Sequence, residues 1–290
     1  MTLRLPVKKT VIYVSAVLLA VWTLVPVYWL LNLAFMYNVE MIAVPTHFWP
    51  HNFTLANFVR LFDQSALGPT GEVMLPVPHG GLVRLGLRNS LIVAGIATPL
   101  TLLVALPIAY VLGRFIFPHK NKIVLGILLS RAWPPMAAII PFFGMYMTLG
   151  LRGTHQGLII VYLSGTIPLI VWIMMGFFSS LPRSLEVAAR VDGCTRFKAF
   201  YQVMIPMAMP GIAACAVIAF LSCWNEFLFS FLLNSGSDAL TFPPTLSNMF
   251  FQYFYPTEAA AATVLGMAPV AIIAFIFQRW IRNLNIVDPL

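Results

Sequence analysis

The chain has 290 residues, 60% of them hydrophobic and only 9% charged, with a mean hydropathy of +0.88. Soluble domains carry about 25% charged residues, so a water-soluble protein is excluded and the class is integral membrane. The formal charge of +8 sits mostly at the ends of apolar runs, where it serves topology and anionic lipid heads and not nucleic acid.

The N-terminus begins like a signal peptide, with Arg4, Lys8 and Lys9 ahead of an apolar run. That run lasts from Val11 to about Met36, beyond the roughly 7–15 residues of a cleavable segment. It reads as an uncleaved first span with a cytoplasmic N-terminus. A spanning helix needs roughly 20 mostly apolar residues, and six segments qualify: about 11–36, 89–112, 123–149, 157–178, 207–233 and 259–281. Prolines and glycines interrupt them, among them Pro26, Pro99, Pro107, Pro134, Pro135, Pro168, Gly266 and Pro269; helices packed in lipid tolerate such breaks where neighbours satisfy the freed backbone groups. The expected fold is all-α: a single polytopic membrane domain over 1–290 with six transmembrane helices.

Lys and Arg orient it. With the N-terminus inside, the cytoplasmic segments hold Arg4, Lys8, Lys9, Arg114, Lys120, Lys122, Arg183, Arg190, Arg196, Lys198, Arg279 and Arg282. The outer segments hold Arg60, Arg84, Arg88 and Arg152. This asymmetry puts both termini in the cytoplasm.

Two outer segments are long. Residues 37–88 contain Pro45, Pro50, Pro69, Pro76, Pro78 and Gly80-Gly81, so much of the stretch reads as loop; "LANFVRLF" (55–62) has apolar residues at helical spacing that suit the membrane surface. Residues 234–258, with "SGSD" and Pro243-Pro244, form the second. His47 and His51 stand four apart, but Pro50 lies between them and no carboxylate flanks them closely, so no metal site is expected. Cys194, Cys215 and Cys223 make no CxxC pair and read as inert thiols.

Between the fourth and fifth spans the chain gathers Glu186, Arg190, Asp192, Arg196 and Lys198. Glu186 and Arg190 share one helix face. Asp192-Gly193 supplies a helix stop, because glycine tolerates the left-handed conformation at a C-terminal cap. Thr195 can cap a second short helix bearing Phe197, Phe200 and Tyr201. Two short helices with a sharp bend are expected, presenting charges and aromatics to the cytoplasm.

Within it, "EVAARVDGCTRFKAFYQVMIP" resembles the EAA motif of ABC importer permeases. Val187-Ala188-Ala189 occupy the first triplet, Gly193 the glycine, Val203 the isoleucine and Ile205-Pro206 the Leu-Pro. Glu186 and Asp192 match the longer form common in sugar permeases; Val187 replaces the usual acidic residue, with Glu186 beside it. "RAWPPMAAIIPFFGMYMTLGLRGTHQGLIIVY" (131–162), "CWNEFLFSFLL" (223–233) and "NSLIVAG" (89–95) are similar to stretches of the maltose-permease G-type subunits. The end "NLNIVDPL" departs from the Gly-rich tail frequent in that family.

The resemblance implies a permease subunit of an ATP-driven importer, forming half of a path for a sugar, polyol or related hydroxylated solute in a prokaryotic inner membrane. The implied partners are a second homologous permease, two ATPase subunits, an extracytoplasmic solute-binding protein and the lipid bilayer. A cytoplasmic coupling helix within 182–205 would dock on the ATPases through Glu186, Ala188, Ala189, Asp192, Gly193 and Pro206. ATP and Mg belong to the partner ATPase, since this chain has no GxxxxGK[ST] phosphate loop; no cofactor, metal or catalytic constellation is expected on it. A non-carbohydrate solute is the rival within the class, and a membrane assembly protein without transport the rival outside it.

Glu226 is the only acidic residue deep in an expected span. A carboxylate there costs roughly 2.5–3.5 kcal/mol on insertion scales. Trp224, Asn225 and Glu226 either line the translocation path or brace helices together, and both readings stand. Arg131, about 12 Å inside the third span, reads as capping a neighbouring helix's carbonyls or snorkelling. Depth argues that Glu226 is met by Arg88, with Asn89 beside it, by polar neighbours or by water, and not by Arg131.

Overall fold

The computed structural model describes residues 4–62, 65–68, 70–75, 80–132, 134–252 and 254–281. Pro69, Pro76, Pro78, His79, Trp133, Arg282 and the terminal "NLNIVDPL" lie outside the described residues. In chain order the elements are α1 (Arg4–Ala34), α2 (Asn38–Met41), α3 (Ala56–Arg60), a hairpin of β1 (Ala66–Leu67) and β2 (Val73–Met74), α4 (Gly80–Arg114), α5 (Lys120–Ala132), α6 (Pro135–Thr148) and α7 (His155–Ser180). There follow α8 (Arg183–Val191), α9 (Arg196–Ala199), a π-helical turn (Phe200–Met204), α10 (Ile205–Met207), α11 (Met209–Trp224), α12 (Leu228–Asn234), α13 (Phe242–Phe251) and α14 (Pro256–Ile281). The chain is mostly helical.

Four of these helices, α1, α4, α7 and α14, are long and apolar enough to cross a bilayer. They fall on the expected first, second, fourth and sixth spans. A fifth candidate is the pair Arg196–Met207 and Met209–Trp224, bent by 77°.

The other expected spans are interrupted, and the causes are local. Over 123–149 the sequence reads as one span; the structure divides it into α5 and α6, of 13 and 14 residues. Pro134 is extended (φ −66°, ψ 123°) and Pro135 opens α6, because a proline supplies no N–H and keeps the residue before it out of helix. Over 207–233 the helix stops at Trp224, and α12 starts only at Leu228.

Contacts group the chain into two compact units, residues 1–84 with 246–267 and residues 85–245 with 268–290. The first holds a polar core that the span pattern gave no hint of. Glu258, in the first turn of α14, is fully buried and pairs with Arg60 of α3. Asn38 and Thr257 also donate to Glu258 at 3.4 and 2.9 Å, and Arg60 Nε donates to the Leu75 carbonyl at 2.7 Å. Asn57 Nδ2 donates to the carbonyls of Ala34 and Met36 (3.0 and 2.8 Å), where α1 runs out of helical partners. The "LANFVRLF" segment therefore turns Asn57 and Arg60 inward; it is not a helix laid on the membrane surface with its polar side in water.

The second unit packs α4, α7 and the α10–α11 segment around Ala105, Ala109, Ile170, Met174, Phe178 and Cys215. Without a hydrophobic drive between helices in lipid, close approach of small residues holds such bundles together. A Cβ on Gly113 of α4 would lie 2.9 Å from the backbone oxygen of Met175, so α4 and α7 touch there through backbone. Thr101 and Thr166 link the same helices by a buried 2.8 Å hydroxyl pair.

Candidate functional site

The second unit carries two sites of functional interest: a largely apolar cleft with a few polar groups in its wall, and a charged elbow. The cleft, about 690 Å³, lies among α5, α6, α7, α11 and α12. Its lining includes Arg131, Phe142, Tyr162, Ser222, Glu226 and Phe229. Arg131, beside the first helix break, and Glu226, within the second, both line it.

Arg131 occupies the last turn of α5, at the proline break and not deep inside a continuous helix. Its Nη1 donates to the Gly165 carbonyl of α7 at 3.3 Å. Glu226 falls in the gap between α11 and α12. Its carboxylate accepts from the backbone N–H groups of Phe229 (2.8 Å) and Ser230 (3.2 Å), closing the N-terminus of α12. Neither Arg131 nor Arg88 forms an ion pair with Glu226 among the described residues; backbone amides and the positive end of α12 meet its charge.

The hydroxyls of the cleft are polarised in one direction. Ser130, Ser164 and Ser222 donate to the carbonyls of Ile127, Val161 and Ile218 on their own helices, at 2.6–2.8 Å. Their protons are engaged, so they offer the cleft acceptor lone pairs. Arg131 supplies donors, and the Tyr162 hydroxyl is buried in the same wall beside Glu226. Phe142 and Phe229 meet edge to face with centroids 5.8 Å apart. The wall of the cleft thus carries both acceptors and donors, with aromatic edges beside them.

The other residues singled out in the fifth span lie elsewhere. The Trp224 indole is buried, stacked 5.6 Å from Phe220 and tilted against Phe242 at 6.3 Å. Asn225 caps the end of α11 and is exposed. Asn89 is a tie: its Nδ2 donates to the Asp238 and Leu240 carbonyls at 2.7 and 2.8 Å, and its Oδ1 meets His155 Nε2 at 2.8 Å. It fastens α4, the start of α7 and the loop after α12.

The elbow is α8, Gly193 and α9. Gly193 has φ +83°, the Cys194 N–H donates to the Ala189 carbonyl and the Gly193 N–H to that of Arg190. These two bonds close the helix end, and glycine is the residue that takes this φ without strain. Thr195 Oγ accepts from the Lys198 N–H at 3.2 Å and starts α9. Glu186 faces into the unit: it accepts from Tyr110 Oη at 2.8 Å and from Arg114 Nε at 3.1 Å. Arg114 also donates to the Phe178, Leu181 and Pro182 carbonyls at the end of α7. Glu186 thus anchors the elbow; neighbouring helix positions differ by 100°, and it is Val187 that points out.

Ala189 is buried, while Ala188, Asp192 and Pro206 are exposed. On the outer side Val187 (61% exposed), Val191 (81%), Phe197 (79%) and Tyr201 (68%) stand among Arg183, Arg190, Asp192, Arg196 and Lys198. A charged segment that exposes two valines and two rings has the makeup of a docking face.

Comparison with solved structures agrees with this architecture. A bacterial ABC transporter involved in the import of the acidic polysaccharide alginate superposes with a TM-score of 0.77, covering 96% of this chain and 98% of that chain at 19% identity. The MetNI methionine ABC transporter superposes at 0.59, covering 70% of this chain and 95% of that chain. The fold is that of an ABC importer permease. Residues 90–284 match the binding-protein-dependent transport system inner membrane components, and the chain belongs to that family.

Among its relatives, the sulfoquinovosyl glycerol transport system permease of Agrobacterium fabrum is 31% identical, over 93% of this chain and 90% of that protein. The diacetylchitobiose uptake system permease of Streptomyces coelicolor is 31% identical over 93% and 86%. The trehalose/maltose permease of Thermococcus litoralis is 27% identical over 94% of each.

Nothing in the sequence singled out Glu40, Asn57 or Glu258, and Arg60 stood there only as an outer-segment cation. A span read from 259 leaves Glu258 one residue outside it, although Pro256 and the acidic residue two positions later mark a helix start.

Proposed function

We propose that this chain forms half of the translocation path for a sugar, polyol or related hydroxylated solute, paired with a second homologous permease. Two ATPase subunits holding ATP and Mg, and an extracytoplasmic binding protein, complete the importer. In this reading the chain crosses the inner membrane six times with both termini in the cytoplasm. The joined α5–α6 makes the third crossing and the bent α10–α11–α12 run the fifth.

The observation that carries the reading is the elbow: an outward face of Val187, Val191, Phe197 and Tyr201, held by a Gly193 turn and the Glu186–Arg114–Tyr110 anchor, in a chain of this family. In the cycle, ATP-driven closure of the partner ATPases presses on α8–α9. The anchor passes the displacement to α4 and the end of α7, and α7 carries Tyr162 and Gly165 of the cleft wall. The relatives named for sugars and glycosides support the solute class, as do the cleft's acceptor-rich hydroxyls and aromatic edges.

The test is reconstitution in proteoliposomes with the partner permease, ATPases and binding protein. Sugars or polyols stimulate ATP hydrolysis, and amino acids and inorganic ions do not. A Cβ at Gly193 meets nothing within 4 Å, so Gly193→Val strains the turn by about 1–3 kcal/mol without a clash. The variant inserts normally but copurifies poorly with the ATPases and loses most transport. Full transport by well-expressed Gly193→Val would refute the coupling role. Stimulation only by non-carbohydrate solutes would transfer the chain to another branch of the family.

A further inference from the structure

The histidine pair of the 37–88 segment lacks a nearby carboxylate in the sequence, and the fold supplies one. Glu40, in α2, lies against the chain that carries His47 and His51. A ring nitrogen from each histidine and a Glu40 carboxylate oxygen all lie within 4.8 Å of one another. The two imidazole centroids are 3.9 Å apart.

Each component is held. Glu40 is buried, and its two oxygens accept from the His51 and Asn52 N–H groups at 3.0 and 2.9 Å. This fixes the carboxylate while leaving lone pairs on both oxygens. It has no Lys or Arg partner among the described residues. Between the histidines, the Phe48 carbonyl accepts from Tyr28 Oη (2.8 Å) and Asn32 Nδ2 (2.6 Å) of α1, which fastens the loop. His47 Nδ1 is buried with no hydrogen-bond partner, a condition that costs about 1–3 kcal/mol unless something occupies that lone pair or proton.

We propose that Glu40, His47 and His51 bind a divalent transition-metal ion of the zinc type. The donor set suits it: two imidazoles and a carboxylate are borderline ligands that favour zinc over calcium or magnesium. Zinc bonds of about 2.0–2.1 Å put tetrahedral ligands about 3.3 Å apart. The present spacing closes with a movement on the order of 1 Å, available to the exposed His51 ring. Three protein ligands leave a fourth position for water. The ion clips the loop 46–52 onto α2 directly after the first long helix, and joins the two close imidazoles and the buried carboxylate through one charge.

The test uses the full chain in detergent with its partner subunits, carrying no polyhistidine tag and stripped with chelator. Titration with zinc chloride should load about one ion per chain. Zinc should raise the melting temperature, since a ligand of the folded state stabilises it. Cobalt(II) should give the visible absorption of a tetrahedral nitrogen–oxygen site. His51→Ala, at an exposed position, and His47→Ala should each weaken zinc at least as much as the roughly 10–100-fold that loss of an outer-shell group costs, and abolish the cobalt spectrum. Glu40→Gln tests the third ligand, with normal melting in chelator as the control for its role in holding the loop. The proposal is overturned by a wild-type chain that takes up no stoichiometric zinc, or by uptake unchanged in both histidine variants. Solute-stimulated ATP hydrolysis is read separately, so the site and the transport reading fail independently.

Discussion

Glu258 in the first unit and Glu226 in the second are stabilised by opposite means. Glu258 has Arg60 against it, with Asn38 and Thr257 taking further lone pairs, and no solvent access. Its charge is cancelled by a full opposite charge. Glu226 has backbone amides, a helix end and the Tyr162 hydroxyl beside it but no cation among the described residues, and it lines the cleft. An ion pair closes a carboxylate to its surroundings, whereas an amide cap leaves it able to accept from a passing solute. The first glutamate is therefore architectural and the second suits a translocation path.

The comparison breaks first at Arg60. Arg60→Ala strands a buried carboxylate and should cost about 3–5 kcal/mol, read as a large drop in detergent melting temperature and yield. The double variant Arg60→Met with Glu258→Leu should recover most of it, because removing both charges removes the desolvation cost as well.

Glu186 lies between the extremes, half-buried with an arginine and a tyrosine. Glu186→Ala should cost about 1.5–3 kcal/mol from its charged hydrogen bonds. Unlike Arg60→Ala, it should also weaken ATPase copurification, because it frees the elbow from α4. An unchanged association would remove the anchor from the coupling route.

Glu226→Gln should have the smallest stability effect. Its amide oxygen still accepts from one N–H, and a lost cap costs about 0.5–2 kcal/mol. Transport should nonetheless fall well below what stability explains. Melting as damaged as in Arg60→Ala, with transport intact in the surviving protein, would make the two glutamates equivalent.

How much of this was legible in the sequence depends on range. The four long helices follow from runs of apolar residues, which are local, and so does the elbow: Asp192-Gly193 and Thr195 specify a stop and a start within a few residues. The helix breaks were also written locally, at Pro134-Pro135 and Asn225-Glu226, but lipid-packed helices tolerate proline often enough that a break does not follow from its presence. The Arg60–Glu258 pair joins positions 198 apart, and no periodicity announces such a partner. Glu40 is the same case at shorter range: six residues separate it from His47, and only the path of that loop brings them together. In the cleft, Glu226 and Arg131 stood out as charges in apolar surroundings, while the direction of the serine hydroxyls needed coordinates.

The π-helical turn at Phe200–Met204 sets the phase between the elbow and the helix that follows it. One extra residue per turn moves everything upstream by about 100° relative to a regular helix. In this register Phe200 lies 4.7 Å from the Tyr110 ring and 6.3 Å from that of Phe178, while Phe197 and Tyr201 stay outside. Deleting one residue within 200–204 would leave an unbroken α-helix with its aromatics rotated to the wrong bearing. In the proposed cycle the turn is a keyway, fixing the angle at which force enters the bundle, and a chain with a more regular helix here would be a worse transmission.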